Sequence, residues 1–173
     1  SVTGVQTCAL PIYHPAYGQI RFYENGVHVR TEDPSNGYIE FYENGVIVRA
    51  EFANGHPMHG QIEFYENNRR VRIEYAKGDP LHGAIGFCEN GNLARLKFAK
   101  EHPKHGEIRF FQDEEHTRTE FEKGHPKHGE ICFFENDALV RTEFAKGHPM
   151  HGAIGFCRSE EHTSELQSPM YLV

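Results

Sequence analysis

The sequence predicts an all-β protein, an elongated array of antiparallel β-hairpin repeats that forms a single-layer twisted meander sheet of about seven units of 23 residues. The first observation behind this is the repeat. Units begin at Gly37, Gly60, Gly83, Gly106, Gly129 and Gly152, and a shortened unit of 19 residues begins at Gly18. Self-similarity at such a period marks one supersecondary unit stacked along an axis. The second is alternation of apolar and polar residues within each unit, the period of a strand. The third is an Asn-Gly pair or its equivalent in the middle of each unit, where a type I′ hairpin turn needs positive φ at both central residues.

The unit starting at Gly37 shows each element in turn. In the first strand Ile39 and Phe41 alternate with Glu40 and Tyr42, and Asn44-Gly45 makes the turn. In the second strand Val48, Ala50 and Phe52 alternate with Ile47, Arg49 and Glu51. A plain two-residue hairpin places Glu43 opposite Val46, Phe41 opposite Val48 and Glu40 opposite Arg49. In that register the two apolar sets share one face. The other face carries an arginine row beside Tyr23, Tyr42, Tyr65, Phe111 and Phe134. Glu63 is expected to pair with Arg72, and like charges to meet at Arg21/Arg30 and Arg109/Arg118. Between hairpins runs Lys-Gly-His-Pro-x-His-Gly, as at 123–129, whose glycine and proline define a tight, ordered connection. The first link, Asp33-Pro34-Ser35-Asn36, is four residues shorter and lacks both histidines.

The repeat region spans residues 13–157. Residues 1–12 and 158–173 are expected not to be native sequence, because Thr3–Ile12 and Arg158–Ser168 are the two orientations of one translated sequencing-adapter oligonucleotide. Removing Arg158, Glu160, Glu161 and Glu165 takes the formal charge from −7 to −5. Mild acidity argues against nucleic acid, and disfavours an anionic membrane, as a charge-driven partner. No apolar run approaches the ~20 residues of a membrane helix. Cys88 and Cys132 fall two units apart, ~19 Å at two strands per unit, beyond disulfide reach. Reduced thiols of an intracellular protein are the expectation.

The pattern H-G-x-I-x-F-[YF]-E-N-G…R-x-E-[FY]-A-K-G…H-G resembles the MORN repeat, and more closely its variant form with 23-residue spacing. The likeness covers about Tyr17–Cys157. This chain differs in carrying Ile at a position the family often fills with an aromatic, in having no tryptophan, and in the proline of its links. The resemblance implies a hairpin array that acts as a scaffold, dimerises or sits at membranes.

No G-x-S-x-G, H-E-x-x-H or P-loop is present, and every polar residue type is multiplied by the repeat, whereas a catalytic centre is a singular constellation. No enzyme activity and no cofactor are expected. The His-Pro-x-His pairs offer weak metal candidates in His125, His128, His148 and His151, but a structural zinc site needs four ligands. The candidate binding face comprises Tyr23, Tyr42, Tyr65, Phe111 and Phe134 with Arg49, Arg72, Arg95, Arg118 and Arg141. The expected function is protein–protein interaction or assembly scaffolding, with a protein partner or self-association. Peripheral membrane association, or an accessory role beside a catalytic domain, are the other expectations. A single-layer sheet also shows more apolar surface than monomers carry, so curvature, the links, a second copy or a partner must cover it.

Overall fold

The computed structural model describes residues 18–157 together with the backbone of Val5–Gln6. The rest of the two segments read as adapter sequence lies outside the described residues. One antiparallel sheet contains every strand, in strict sequence order. The strands are β1 (Val5–Gln6), β2 (Ile20–Glu24), β3 (Val27–Asp33), β4 (Tyr38–Glu43), β5 (Val46–Phe52), β6 (Gln61–Glu66), β7 (Arg69–Tyr75), β8 (Ala84–Glu89), β9 (Asn92–Phe98), β10 (Glu107–Gln112), β11 (Glu115–Phe121), β12 (Glu130–Glu135), β13 (Ala138–Phe144) and β14 (Ile154–Phe156). The all-β meander of hairpins is as the repeat predicts, and no helix occurs among the described residues.

The turns have the expected chemistry. Asn44 and Gly45 sit at φ 51° and 76°, and Asn67 and Asn68 at 51° and 59°. Both central residues lie in the left-handed region, which lets the turn follow the right-handed twist of its strands. At the fifth turn the pair is Asp113 and Glu114, at φ 51° and 69°. Glutamate has no local hydrogen-bonding advantage in that conformation.

The register corrects the plain two-residue hairpin. Glu43 does face Val46, and Tyr42 faces Ile47, but Phe41 then faces Arg49 and Glu40 faces Ala50. Val48 is left without a partner across the hairpin: a β-bulge. The same shift occurs at the same place in all six hairpins from β2–β3 to β12–β13. One inserted residue moves everything beyond it to the opposite face. Ile39, Phe41, Arg49 and Glu51 therefore share one face, here the ladder face. Tyr38, Glu40, Tyr42, Ile47, Ala50 and Phe52 share the other, the variable face.

All of the strand residues that are buried lie on the variable face, among them Ala50, Glu63, Ile73, Leu96, Thr119 and Cys132. Its densest part is mid-sheet, where Ile73, Tyr75, Ala84, Leu96 and Phe98 pack together, flanked by Cys88, Phe111 and Leu81 from a link. Gly86 gives room there to the Leu93 side chain, which a larger residue would have to displace. A Cβ on Gly86 would stand 2.8 Å from Leu93 Cδ1 and 3.5 Å from Ile73 Cβ.

Glu114 is exposed, so Glu114→Gly is expected to raise stability by about 1 kcal/mol, relieving the left-handed penalty less the added chain entropy. Urea denaturation measures this, and an unchanged or lower midpoint contradicts the turn assignment.

Candidate functional site

On the ladder face, phenylalanine and arginine alternate across the sheet without a break. Phe41 faces Arg49 within its hairpin, and Arg49 faces Phe64 of the next. Phe64, Arg72, Phe87 and Arg95 continue the row. Each guanidinium lies over the ring of its own hairpin, at 4.1 Å for Arg49, 4.2 Å for Arg72, 4.6 Å for Arg95, 4.1 Å for Arg118 and 4.2 Å for Arg141. A second row alternates Ile39, Glu51 and Ile62. The glutamates pair with the arginine two residues before them, as Arg49–Glu51 at 3.0 Å, Arg72–Glu74 at 3.0 Å and Arg118–Glu120 at 3.1 Å. Only β9 departs, with Lys97 in the glutamate's place, and Lys97 reaches Glu122 at 2.9 Å instead. The cation–π contacts are each worth about 0.5–1 kcal/mol.

The expected Glu40–Arg49 and Glu63–Arg72 pairs therefore do not form. Glu40 accepts from the Tyr42 hydroxyl, and Glu63 bonds Tyr65 and Arg70. Nor do like charges meet at Arg21 and Arg109, which face Thr31 and Thr119. The bulge likewise separates the candidate binding residues. Tyr23, Tyr42, Tyr65, Phe111 and Phe134 are on the variable face, whereas Arg49, Arg72, Arg95, Arg118 and Arg141 are on the ladder face.

The variable face changes from unit to unit. The position of Glu40 holds Arg21, Glu40, Glu63, Gly86, Arg109 and Cys132 in successive hairpins, and that of Ile47 holds His28, Ile47, Arg70, Leu93, His116 and Leu139. Glu63 is only 4% exposed. Its charge is offset by Arg70, which also donates from Nε to the Gly91 carbonyl at 3.2 Å and so ties one unit to the next. Burial first, and then Glu40, pushes the Tyr42 hydroxyl pKa up to about 12. Burial and Glu63 act the same way on Tyr65.

Two histidines on this face sit between aromatic rings. His28 lies 5.3 Å from Tyr23 and 4.4 Å from Tyr42, and His116 lies 5.6 Å from Phe111 and 4.3 Å from Phe134. Each shares a 2.9 Å hydrogen bond with a buried threonine, Thr31 or Thr119. Burial, and after it the Arg109 charge, holds the His116 pKa below the ordinary imidazole value. His116, Arg109, Phe134 and Lys127 border an open groove of about 450 Å³. The sequence pattern missed Arg70 and both of these histidines, and gave Glu63 the wrong partner. Their signal was departure from the consensus.

The link histidines have identifiable structural roles. His125 Nδ1 accepts the Lys127 N–H at 3.1 Å, and its ring stacks on Phe121 at 4.7 Å. His56, His102 and His148 accept in the same way from the residue two positions on. Asp79 substitutes for them, since its Oδ1 accepts the Leu81 N–H at 2.7 Å. His128 Nδ1 lies 3.1 Å from the Phe121 carbonyl. Several links also pack against the glycine that opens their own unit. A Cβ on Gly129 would stand 3.1 Å from His148, and one on Gly60 would stand 2.6 Å from the Asp79 nitrogen. The described residues contain no cluster of three or more His, Cys, Asp or Glu side chains able to hold a metal, so His125, His128, His148 and His151 are not brought together as a ligand set.

No protein-family model matches the chain, and no curated protein matches it.

Two outcomes follow from this geometry. Replacing His125 by Asp keeps the acceptor that Asp79 supplies in its own link, so it should be tolerated better than His125→Ala, which removes a hydrogen bond worth about 1 kcal/mol. Equal losses in thermal unfolding would contradict the acceptor role. The depressed His116 pKa means that the folded state binds fewer protons there than the unfolded chain. Its contribution to stability is thus present above about pH 6.5 and is lost as pH falls through the lower folded value. His116→Leu, which copies Leu93 and Leu139, should flatten the fall in stability between about pH 8 and 5. Parallel pH profiles for the two proteins would exclude this.

Proposed function

We propose that this chain is a non-enzymatic protein-interaction or assembly module of the MORN-repeat kind, and that its recognition surface is the variable face. The observation that carries this reading is the contrast between the two faces. The ladder face repeats one set of contacts from hairpin to hairpin, so it holds the array together and offers little to discriminate partners. The opposite face presents a different set of side chains at each unit, and non-repeating chemistry on a regular frame is what specific recognition uses. Aromatic side chains with adjacent arginine and histidine suit a protein segment, because such residues dominate binding energy at protein interfaces. The binding set is then Tyr23, Tyr42, Tyr65, Phe111 and Phe134 with Arg109 and His116. The five ladder arginines belong to the framework.

A phage-displayed peptide library selected on the full chain tests this. Enriched peptides should lose at least tenfold in affinity, about 1.4 kcal/mol, with Phe134→Ser or Tyr42→Ser, and should be insensitive to Arg72→Lys. Peptides that respond to Arg72→Lys and not to the variable-face substitutions would place recognition on the ladder face and refute the assignment.

A further inference from the structure

The two long edges of the sheet carry opposite charge. In a meander all the hairpin turns lie along one edge and all the links along the other. Each turn brings one to three exposed carboxylates, from Glu24 at the first to Asp137 at the last, nine in all against the single exposed Arg69. Four of the five full-length links carry Lys77, Lys100, Lys104, Lys123, Lys127 and Lys146, all exposed, against three carboxylates, and the link at 53–60 carries no charge. Of those three, Asp79 caps its own link and Glu122 is held by Lys97. Neither edge neutralises itself. The ion pairs among the described residues include no turn carboxylate and none of these six lysines.

Both edges have the same period, because each unit contributes one turn and one link. At two strands per unit the charges recur every ~9.6 Å on each side. A second copy shifted sideways by one strand length, and by one strand along the array, therefore sets acidic turns against the four lysine-bearing links at once. A single exposed ion pair is weak, but several engaged together act as one multivalent contact. Edges of one sign only would repel.

We propose that copies of this chain associate side by side, the acidic turn edge of one against the lysine edge of the next, in register at the repeat. The contact is head-to-tail, so it leaves a free edge of each sign and can extend. It uses neither face of the sheet and stands independently of recognition by the variable face.

Sedimentation velocity of the full chain tests it at neutral pH, in about 20 mM and about 500 mM NaCl, concentrations that bracket strong and weak screening. Expected is a concentration-dependent rise in mass to at least double the monomer at low salt, lost at high salt. The triple variants Glu43→Lys/Glu66→Lys/Glu89→Lys and Lys100→Glu/Lys123→Glu/Lys146→Glu change exposed positions only, and circular dichroism verifies their β structure. The variants should each associate more weakly than the wild type, and an equimolar mixture of the two should regain the mass of a complex. A wild-type monomer at both salts, reversal variants that associate as the wild type does, or a mixture that stays monomeric overturns the proposal. So does a wild type that remains monomeric yet sediments with phosphatidylserine vesicles at low salt, since its lysine edge then serves a membrane.

Discussion

One backbone residue per hairpin without a cross-strand partner sets the character of this molecule. Val48 and its counterparts interrupt the pairing just beyond each turn, and the shift puts arginine opposite phenylalanine. Without it, Arg49 would face Glu40 and the guanidinium row would stand apart from the phenyl row. With it, arginine faces phenylalanine within each hairpin and again between hairpins, and stacks on the ring of its own hairpin. Bulges ordinarily re-aim a few side chains locally. Here the repetition turns a local device into the rule that sorts every side chain of the sheet onto one of two faces.

That sorting divides the physical work. The ladder face is held by aliphatic, aromatic and charged groups whose contacts are mostly within a strand or with its neighbour, Lys97–Glu122 being the longer reach. The links add backbone turns and a histidine that both accepts a hydrogen bond and covers a phenyl ring. A sheet without a second layer has little deeply enclosed volume, so stability accumulates from such neighbour terms, as expected for linear repeats. The variable face is freed from repeating any one contact. It can bury Glu63 because Tyr65 and Arg70 satisfy the carboxylate locally, where an unpaired charge would be prohibitive.

The architecture was legible because three independent signals coincide in each unit: alternation, turn chemistry and spacing. Face assignment was not. A two-residue turn and strict alternation make a self-consistent hairpin, and a bulge adds one residue that no single unit reveals. A clue was nonetheless present in Val46-Ile47-Val48, three successive apolar residues where an alternating strand has none. Another was that Phe and Arg recur together in every hairpin, as partners in contact do. The candidate site was half legible for the same reason. Its aromatic row was placed beside arginines that in fact point the other way, while His116 and Arg70 were hidden because a consensus discards what differs.

The nearest-neighbour character of the ladder also bears on how such a chain can change over time. The contacts of one unit end at the next, so among the described residues no strand closes the sheet around a centre whose size must be conserved. Excising or duplicating one 23-residue block restores the phenylalanine–arginine pairing of the ladder face at the new junction. Gain or loss of whole units therefore alters reach in fixed steps while the ladder-face framework is kept.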